Sequence, residues 1–279
     1  MSFYITKRSG EQELFNIKKF RASLARAGAP PEIIDTISQD IEQHTELHST
    51  QDIYSYALQK LKKLRKPSAA RYSLKRALAE LGPAGFPFER YIAELYNQMG
   101  YEVANDQIAK GFCVEHEIDV IARKDDRVLL IECKFHTVLS LKSDLKIALY
   151  VQARHADIEK QWQQTPYQGK EVRESWVVTN TKFTSVVLRY ATCAGLKLLG
   201  WNYPEHKPLP DLINEIGLHP ITALTTLKRR QKLELVKEGL VLCKDIKKYV
   251  GAMRHIGMTP MQIDLAIEEA EALNALPTE

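Results

Sequence analysis

Long apolar runs are missing from these 279 residues. No stretch approaches the roughly 18 apolar residues that a membrane-spanning helix needs, so no membrane partner is expected. The opening Met1-Ser-Phe-Tyr-Ile-Thr-Lys7 lacks the shape of a signal peptide. Cysteine is scarce, with single residues at 113, 133, 193 and 243. That pattern excludes zinc-finger spacing and offers no disulfide framework, so a reducing cytoplasm is the expected compartment. No G-x-x-x-x-G-K-[ST] segment occurs, which excludes a phosphate-splitting P-loop. Charge of one sign is not in large excess, and a net charge of +4 permits a nucleic-acid partner without requiring one. What remains is 44% hydrophobic and 27% charged, an ordinary globular composition long enough for two domains or three small ones.

Against that background, charge appears where it should be excluded. Val128 to Phe135 (VLLIECKF) has the apolar content of a central strand but carries Glu132 and Lys134. Glu117-Ile-Asp119-Val-Ile is a second such run, and Lys124-Asp-Asp-Arg127 between them is short enough for a hairpin. An unpaired ion in a buried strand costs several kcal/mol or more. Alternation turns Glu132 and Lys134 to one face, and hairpin pairing can bring Asp119 beside Glu132. Two hard oxygen ligands would then flank a position suited to Mg²⁺ or Mn²⁺, which keeps several waters. Lys134 can hold or deprotonate the attacking water and offset charge on a phosphorane-like transition state. A buried carboxylate–lysine ion pair in a structural core is the other reading of the same residues.

Asp119 followed by Glu132-Cys133-Lys134 resembles the D…(D/E)-x-K signature of PD-(D/E)XK nucleases, and the flanks resemble the Mrr-type restriction-endonuclease branch. Phe88-Glu89-Arg90-Tyr91-Ile92 and Met99-Gly100-Tyr101-Glu102-Val103 are similar to its opening helix and first strand. The resemblance implies that Glu89 completes the acidic cluster. It further implies that Asp119, Glu132 and the backbone carbonyl of Cys133 bind the metal, and that Gln152 orients Lys134 or the scissile phosphate. Tyr150-Val-Gln152-Ala-Arg154 matches the glutamine helix, with Arg154 where that branch usually has lysine.

The first ninety residues carry a second resemblance. Ile5-Thr-Lys7-Arg8-Ser-Gly10, Glu13, Phe15-Asn16-Ile17-Lys18-Lys19 and Ala69-Ala70-Arg71-Tyr72 resemble an ATP cone, a nucleotide-sensing domain. A hairpin (Phe3 to Lys7, Glu13 to Phe15) is predicted to lead into a helix capped by Asn16 and stopped near Gly28. A second helix opens at Pro30-Pro31, a third is capped by Thr50, and a fourth carries Ala69 to Tyr72 and ends at Leu81-Gly82. Lysine, arginine and helix N-termini favour triphosphates. The resemblance implies that Lys7, Arg8 and Lys19 hold the phosphates of ATP or dATP, with Glu13, Asn16 and Thr50 near the nucleoside.

Further along, Glu174 to Asn180, ending in a polar turn, and Leu196 to Trp201 read as strands around a helix from Thr184 to Ala194, completing a mixed sheet. Thr179-Asn-Thr-Lys182-Phe183 can touch a DNA backbone. His116, one residue before Glu117, can lie near the metal, although a surface or supporting histidine is the plainer reading. Lys228 to Lys248 holds eight Lys/Arg against three acids, a local +5 that can neutralise phosphates or simply face solvent.

The expected architecture is a mostly helical ATP cone with a β-hairpin (1–82), an α/β nuclease core on a mixed sheet (83–203) and a small helical region (204–279). The expected function is a metal-dependent endonuclease acting on double-stranded DNA as a homo-oligomer under ATP or dATP control. The alternative is a nucleotide-responsive DNA-binding regulator that does not cut. RNA or a branched junction stays open as substrate.

Overall fold

The computed structural model describes residues 3–7, 10–44, 47–164 and 172–274. The chain divides into two compact units, residues 1–77 with 219–279, and residues 78–218.

In the first unit, β1 (Tyr4–Thr6) and β2 (Gln12–Leu14) form an antiparallel hairpin with Tyr4 opposite Leu14. The Asn16 side chain accepts the Lys19 N–H at 3.0 Å and starts α1 (Ile17–Arg26). Gly28, at φ +70°, supplies the left-handed turn that ends it. Helix α2 (Pro31–Gln43) opens with proline at its first position, where the missing N–H costs nothing. Helix α3 (Thr50–Leu64) is capped by Ser49, whose hydroxyl accepts the Asp52 N–H at 3.1 Å, so Thr50 is its first helical residue rather than its cap. The predicted fourth helix is two, α4 (Lys66–Tyr72) and α5 (Leu74–Ala79). Ser73 stands at the break and its hydroxyl bonds the Ala70 carbonyl, a local bond that competes with helix continuation. Leu24, Ile37, Ile41, Ala57 and Leu61 form the sealed core of this part.

The second unit opens with α6 (Phe86–Gln98), followed by β3 (Glu102–Lys110), β4 (Glu115–Lys124) and β5 (Arg127–Lys134). Next come a short β6 (Lys142–Ser143), α7 (Leu145–Gln164), β7 (Val172–Thr179) and β8 (Lys182–Phe183). Helices α8 (Ser185–Ala194) and α9 (Leu209–Ile216) flank β9 (Lys197–Leu199). The sheet order is β3-β4-β5-β7-β9, antiparallel through β5 and parallel beyond it. The mixture follows from connection length. Short turns, four residues between β3 and β4 and two between β4 and β5, allow antiparallel neighbours, whereas the crossover through α7 allows a parallel one. Strand β5 is central, and Val128 to Ile131 are all buried. Ile121, Val128 and Leu130 share one cluster with Ile158 and Trp162 of α7. By alternation, this is the sheet face that also carries Asp119, Glu132 and Lys134.

The remainder of the first unit is α10 (Arg229–Lys237), α11 (Val250–His255) and α12 (Pro260–Asn274), with 3₁₀ segments at Ile221–Ala223 before α10 and Cys243–Tyr249 before α11. Leu235, Leu240, Met253, Ala266 and Leu273 share a core with Ala70 of α4 and Ala77 of α5.

Candidate active site

Strand register assembles the acids. Val120 of β4 faces Ile131 of β5, and the next residues along are Asp119 and Glu132. The Cys133 N–H donates to Asp119 Oδ2 at 2.7 Å, which fixes the Asp119 side chain against β5. On the other side of β4, Asn105 pairs with Val120 and Gln107 with Ile118, leaving Asp106 and Asp119 as the rung between them. Asp106 holds φ +51°, a left-handed conformation that a non-glycine residue adopts under local constraint. Glu89 comes from the first turn of α6 and reaches back over its start. A Cβ on Gly85 would lie 2.8 Å from Glu89 Oε1, so glycine leaves the room that this carboxylate uses.

The acids also raise one another. Burial pushes the Asp119 carboxyl up to about 6, and Glu132 adds to the rise. Burial pushes Glu89 up to about 7, with Asp119, Asp106, Glu132 and Glu117 all contributing. Carboxylates that raise one another have too little positive charge among them.

One cation does reach them. Arg154 of α7 is only 7% exposed, donates to Glu132 Oε2 at 2.5 Å and donates to the Glu117 carbonyl at 2.8 Å. Sequence reasoning matched Arg154 to the glutamine helix and assigned it no role. The available signal was its place at helical spacing between Val151 and Ile158, on a stripe that is otherwise apolar. Gln152 is half-buried two residues earlier. Lys134 is exposed, and among the described residues its ammonium joins no ion pair. It lines a neighbouring cleft instead. The ion pair at these strands is therefore Glu132–Arg154, not a carboxylate–lysine pair.

Among the described residues, no three His, Cys, Asp or Glu side chains stand close enough to enclose a metal by themselves. Magnesium needs no such cage, since one or two carboxylates plus waters suffice. The donors are hard oxygens, and the raised acids mark the charge excess that a dication offsets, so the residues fit a divalent metal.

Comparison with known families matches a restriction endonuclease domain of the Mrr catalytic type to residues 83–201 and an ATP cone domain to residues 3–80. An AF1548-like C-terminal domain matches residues 219–274. An uncharacterized protein of Archaeoglobus fulgidus is 39% identical over 184 residues, covering 64% of this chain and 98% of that protein. The chain belongs to the AF1548-like family and joins an ATP cone to a restriction-endonuclease domain. The crystal structure of the protein of unknown function AF1548 is 35% identical, with a TM-score of 0.54 over 68% of this chain and 98% of that one.

In the ATP cone, Lys7 pairs with Glu11 at 3.1 Å and with Glu13 at 2.8 Å. The Thr6 N–H donates to the His48 carbonyl at 2.8 Å, bringing β1 beside the start of α3, where Thr50 stands. Asn16 and Lys19 meet through the α1 cap, and the Lys19 side chain is exposed. Arg8 lies outside the described residues.

In the restriction-endonuclease domain, the run Thr179 to Phe183 leaves only Lys182 exposed, and His116 takes the plainer of its two readings, a supporting one. Thr179, Asn180 and Thr181 are fully buried and cannot touch a DNA backbone, whereas the Lys182 side chain reaches the surface. His116 does not face the acids; its Nε2 meets Asp157 of α7 at 2.8 Å. No described helix is long and apolar enough to cross a membrane.

Proposed function

We propose that this protein is a metal-dependent DNA endonuclease under the control of ATP or dATP. The observation that carries it is the convergence of Asp119, Glu132 and Glu89, two of them with raised pKa values, at the edge of a strand that ends in Lys134. Asp119, Glu132 and the Cys133 carbonyl would hold Mg²⁺ or Mn²⁺, supported by Glu89. Such an ion supplies Lewis-acid activation and charge neutralisation at a scissile phosphate.

The remaining roles belong to the chain. Lys134, on the same strand face as Glu132, takes or holds a proton of the attacking water and offsets charge as phosphorus becomes five-coordinate. Gln152 orients Lys134 or the scissile phosphate. Water oxygen bonds to phosphorus as the bond to the 3′ oxygen breaks, leaving a 3′-hydroxyl. In the ATP cone, Lys7, Arg8 and Lys19 would hold the triphosphate, with Glu13, Asn16 and Thr50 near the nucleoside. Nucleotide binding would shift a homo-oligomeric assembly or open the nuclease site. A cytoplasmic setting accords with four cysteines that are all free thiols.

One observation favours the non-cutting alternative, a nucleotide-responsive DNA-binding regulator. Buried Arg154 pairs with part-buried Glu132 and already neutralises a proposed metal ligand. A plasmid-nicking assay with Mg²⁺ or Mn²⁺ separates the two. The endonuclease reading expects nicking by the parent and none by Asp119→Ala or Lys134→Ala. Tight binding with no nicking by the parent would establish the regulator.

A further inference from the structure

A cleft of about 410 Å³ borders the acids without being built from them. Its walls include Lys134, His136, Lys142, Lys146 and Tyr150, and Ser143 lies in its floor. Three lysines therefore line one concavity. The single carboxylate there, Asp144, accepts the Lys146 backbone N–H at 3.1 Å at the start of α7. Among the described residues none of the three lysines is in an ion pair. Like charges left together around a concavity focus a field that draws anions.

The floor is built rather than incidental. Ser143 is 2% exposed, and its hydroxyl lies 3.2 Å from His136 Nε2 and 3.4 Å from Thr179 Oγ1. Buried Asn180 grips the backbone of His136 at both ends, accepting its N–H at 2.9 Å and donating to its carbonyl at 2.7 Å. These bonds give work to the fully buried polar run Thr179-Asn180-Thr181, which otherwise sits where polar groups are costly. Tyr150 links the cleft to the acids, because Arg154 lies over its ring at 5.1 Å.

We infer that this cleft is a phosphate subsite for the DNA strand, beside the cutting position and distinct from the carboxylate cluster, with Lys142 and Lys146 as its phosphate ligands. This deepens the endonuclease reading and rests on it. The shared chemistry is a phosphate, supplied either by a continuing strand or by a 5′-phosphorylated end.

The test is binding of a short labelled duplex in EDTA, across a salt series, by fluorescence anisotropy. Lys142→Ala/Lys146→Ala is expected to weaken binding at least tenfold at low salt. It should also flatten the log–log salt slope by about 1.8, roughly 0.9 per lost phosphate contact. Lys110→Ala/Lys197→Ala removes equal charge from surface lysines outside the cleft and should leave both quantities unchanged. Equal loss on closed circular plasmid identifies an internal phosphate. Loss confined to duplexes with 5′-phosphates, against 5′-hydroxyl duplexes, identifies a terminal one. Unchanged affinity and slope in the cleft variant on every substrate would overturn the inference. The readout needs no cutting, so a parent that never nicks would fail the endonuclease reading while still reporting on the cleft.

Discussion

Asp119, Glu89 and Arg154 decide the chemistry of the site through their charge balance. A carboxyl whose folded pKa lies above its ordinary value favours the protonated fold. Its contribution to stability is therefore present at low pH and lost as pH rises through the folded value, about 6 for Asp119 and about 7 for Glu89. Asp119→Asn should accordingly stabilise the metal-free protein near pH 8 by about 1–2 kcal/mol, allowing for solvent screening, and have little effect near pH 4. Thermal melting at the two pH values checks this. Metal binding requires the ionised forms, so apparent Mg²⁺ affinity should fall as pH drops below about 7, read by calorimetric titration. Arg154→Met leaves part-buried Glu132 without its partner and should cost about 3 kcal/mol in urea unfolding, the low end for a fully buried pair. Arg154→Lys should recover part of that, because a lysine keeps the charge but not the two-pronged donor geometry.

At the scale of elements, two buried or half-buried acids act as fasteners. Asp157 of α7 accepts the N–H groups of Cys113 at 2.9 Å and Val114 at 3.3 Å as well as the His116 ring, and so ties the β3–β4 turn to the helix. Gly111 is required beneath it, since a Cβ there would stand 2.1 Å from Asp157 Oδ2. Asp157→Ala should speed amide exchange across residues 111–114 while leaving β5 protected, as hydrogen-exchange mass spectrometry would register. In the first unit, Glu269 of α12 is 4% exposed and accepts from Thr225 N–H, Thr225 Oγ1 and Thr226 N–H at 2.7–2.8 Å. Glu269→Ala strands those donors and should cost about 2–4 kcal/mol in chemical denaturation, with Glu269→Gln intermediate.

For the molecule as a whole, the C-terminal helices are a structural partner of the ATP cone. Ala70 and Ala77 are fully or almost fully buried in the cluster that contains Leu235, Met253 and Leu273. A chain ending at Leu218 should keep residues 78–218 folded and lower the melting temperature of residues 1–77, as circular dichroism would report. Control by nucleotide belongs to the same scale. Addition of ATP or dATP should change the sedimentation profile or the nicking rate, and absence of both changes would remove the regulatory half of the proposed function.

Local chemistry, legible in the chain, placed the β5 strand, the Asn16 cap, the Gly28 stop and the pairing that seats Asp119 beside Glu132. Each depends on periodicity or on groups a few residues apart, and such signals survive in one dimension. The Thr50 cap and the single fourth helix were misread by one residue and by one serine, because cap and break depend on which neighbouring hydroxyl captures a backbone group. Only the tertiary structure chose Arg154 over Lys134 as the partner of Glu132, turned His116 toward Asp157 and buried Thr179 to Thr181 beneath His136. Those choices rest on contacts between residues 22 to 44 positions apart. Burial and counter-charge, which set what an ionisable side chain does, exist only once such distant segments have packed.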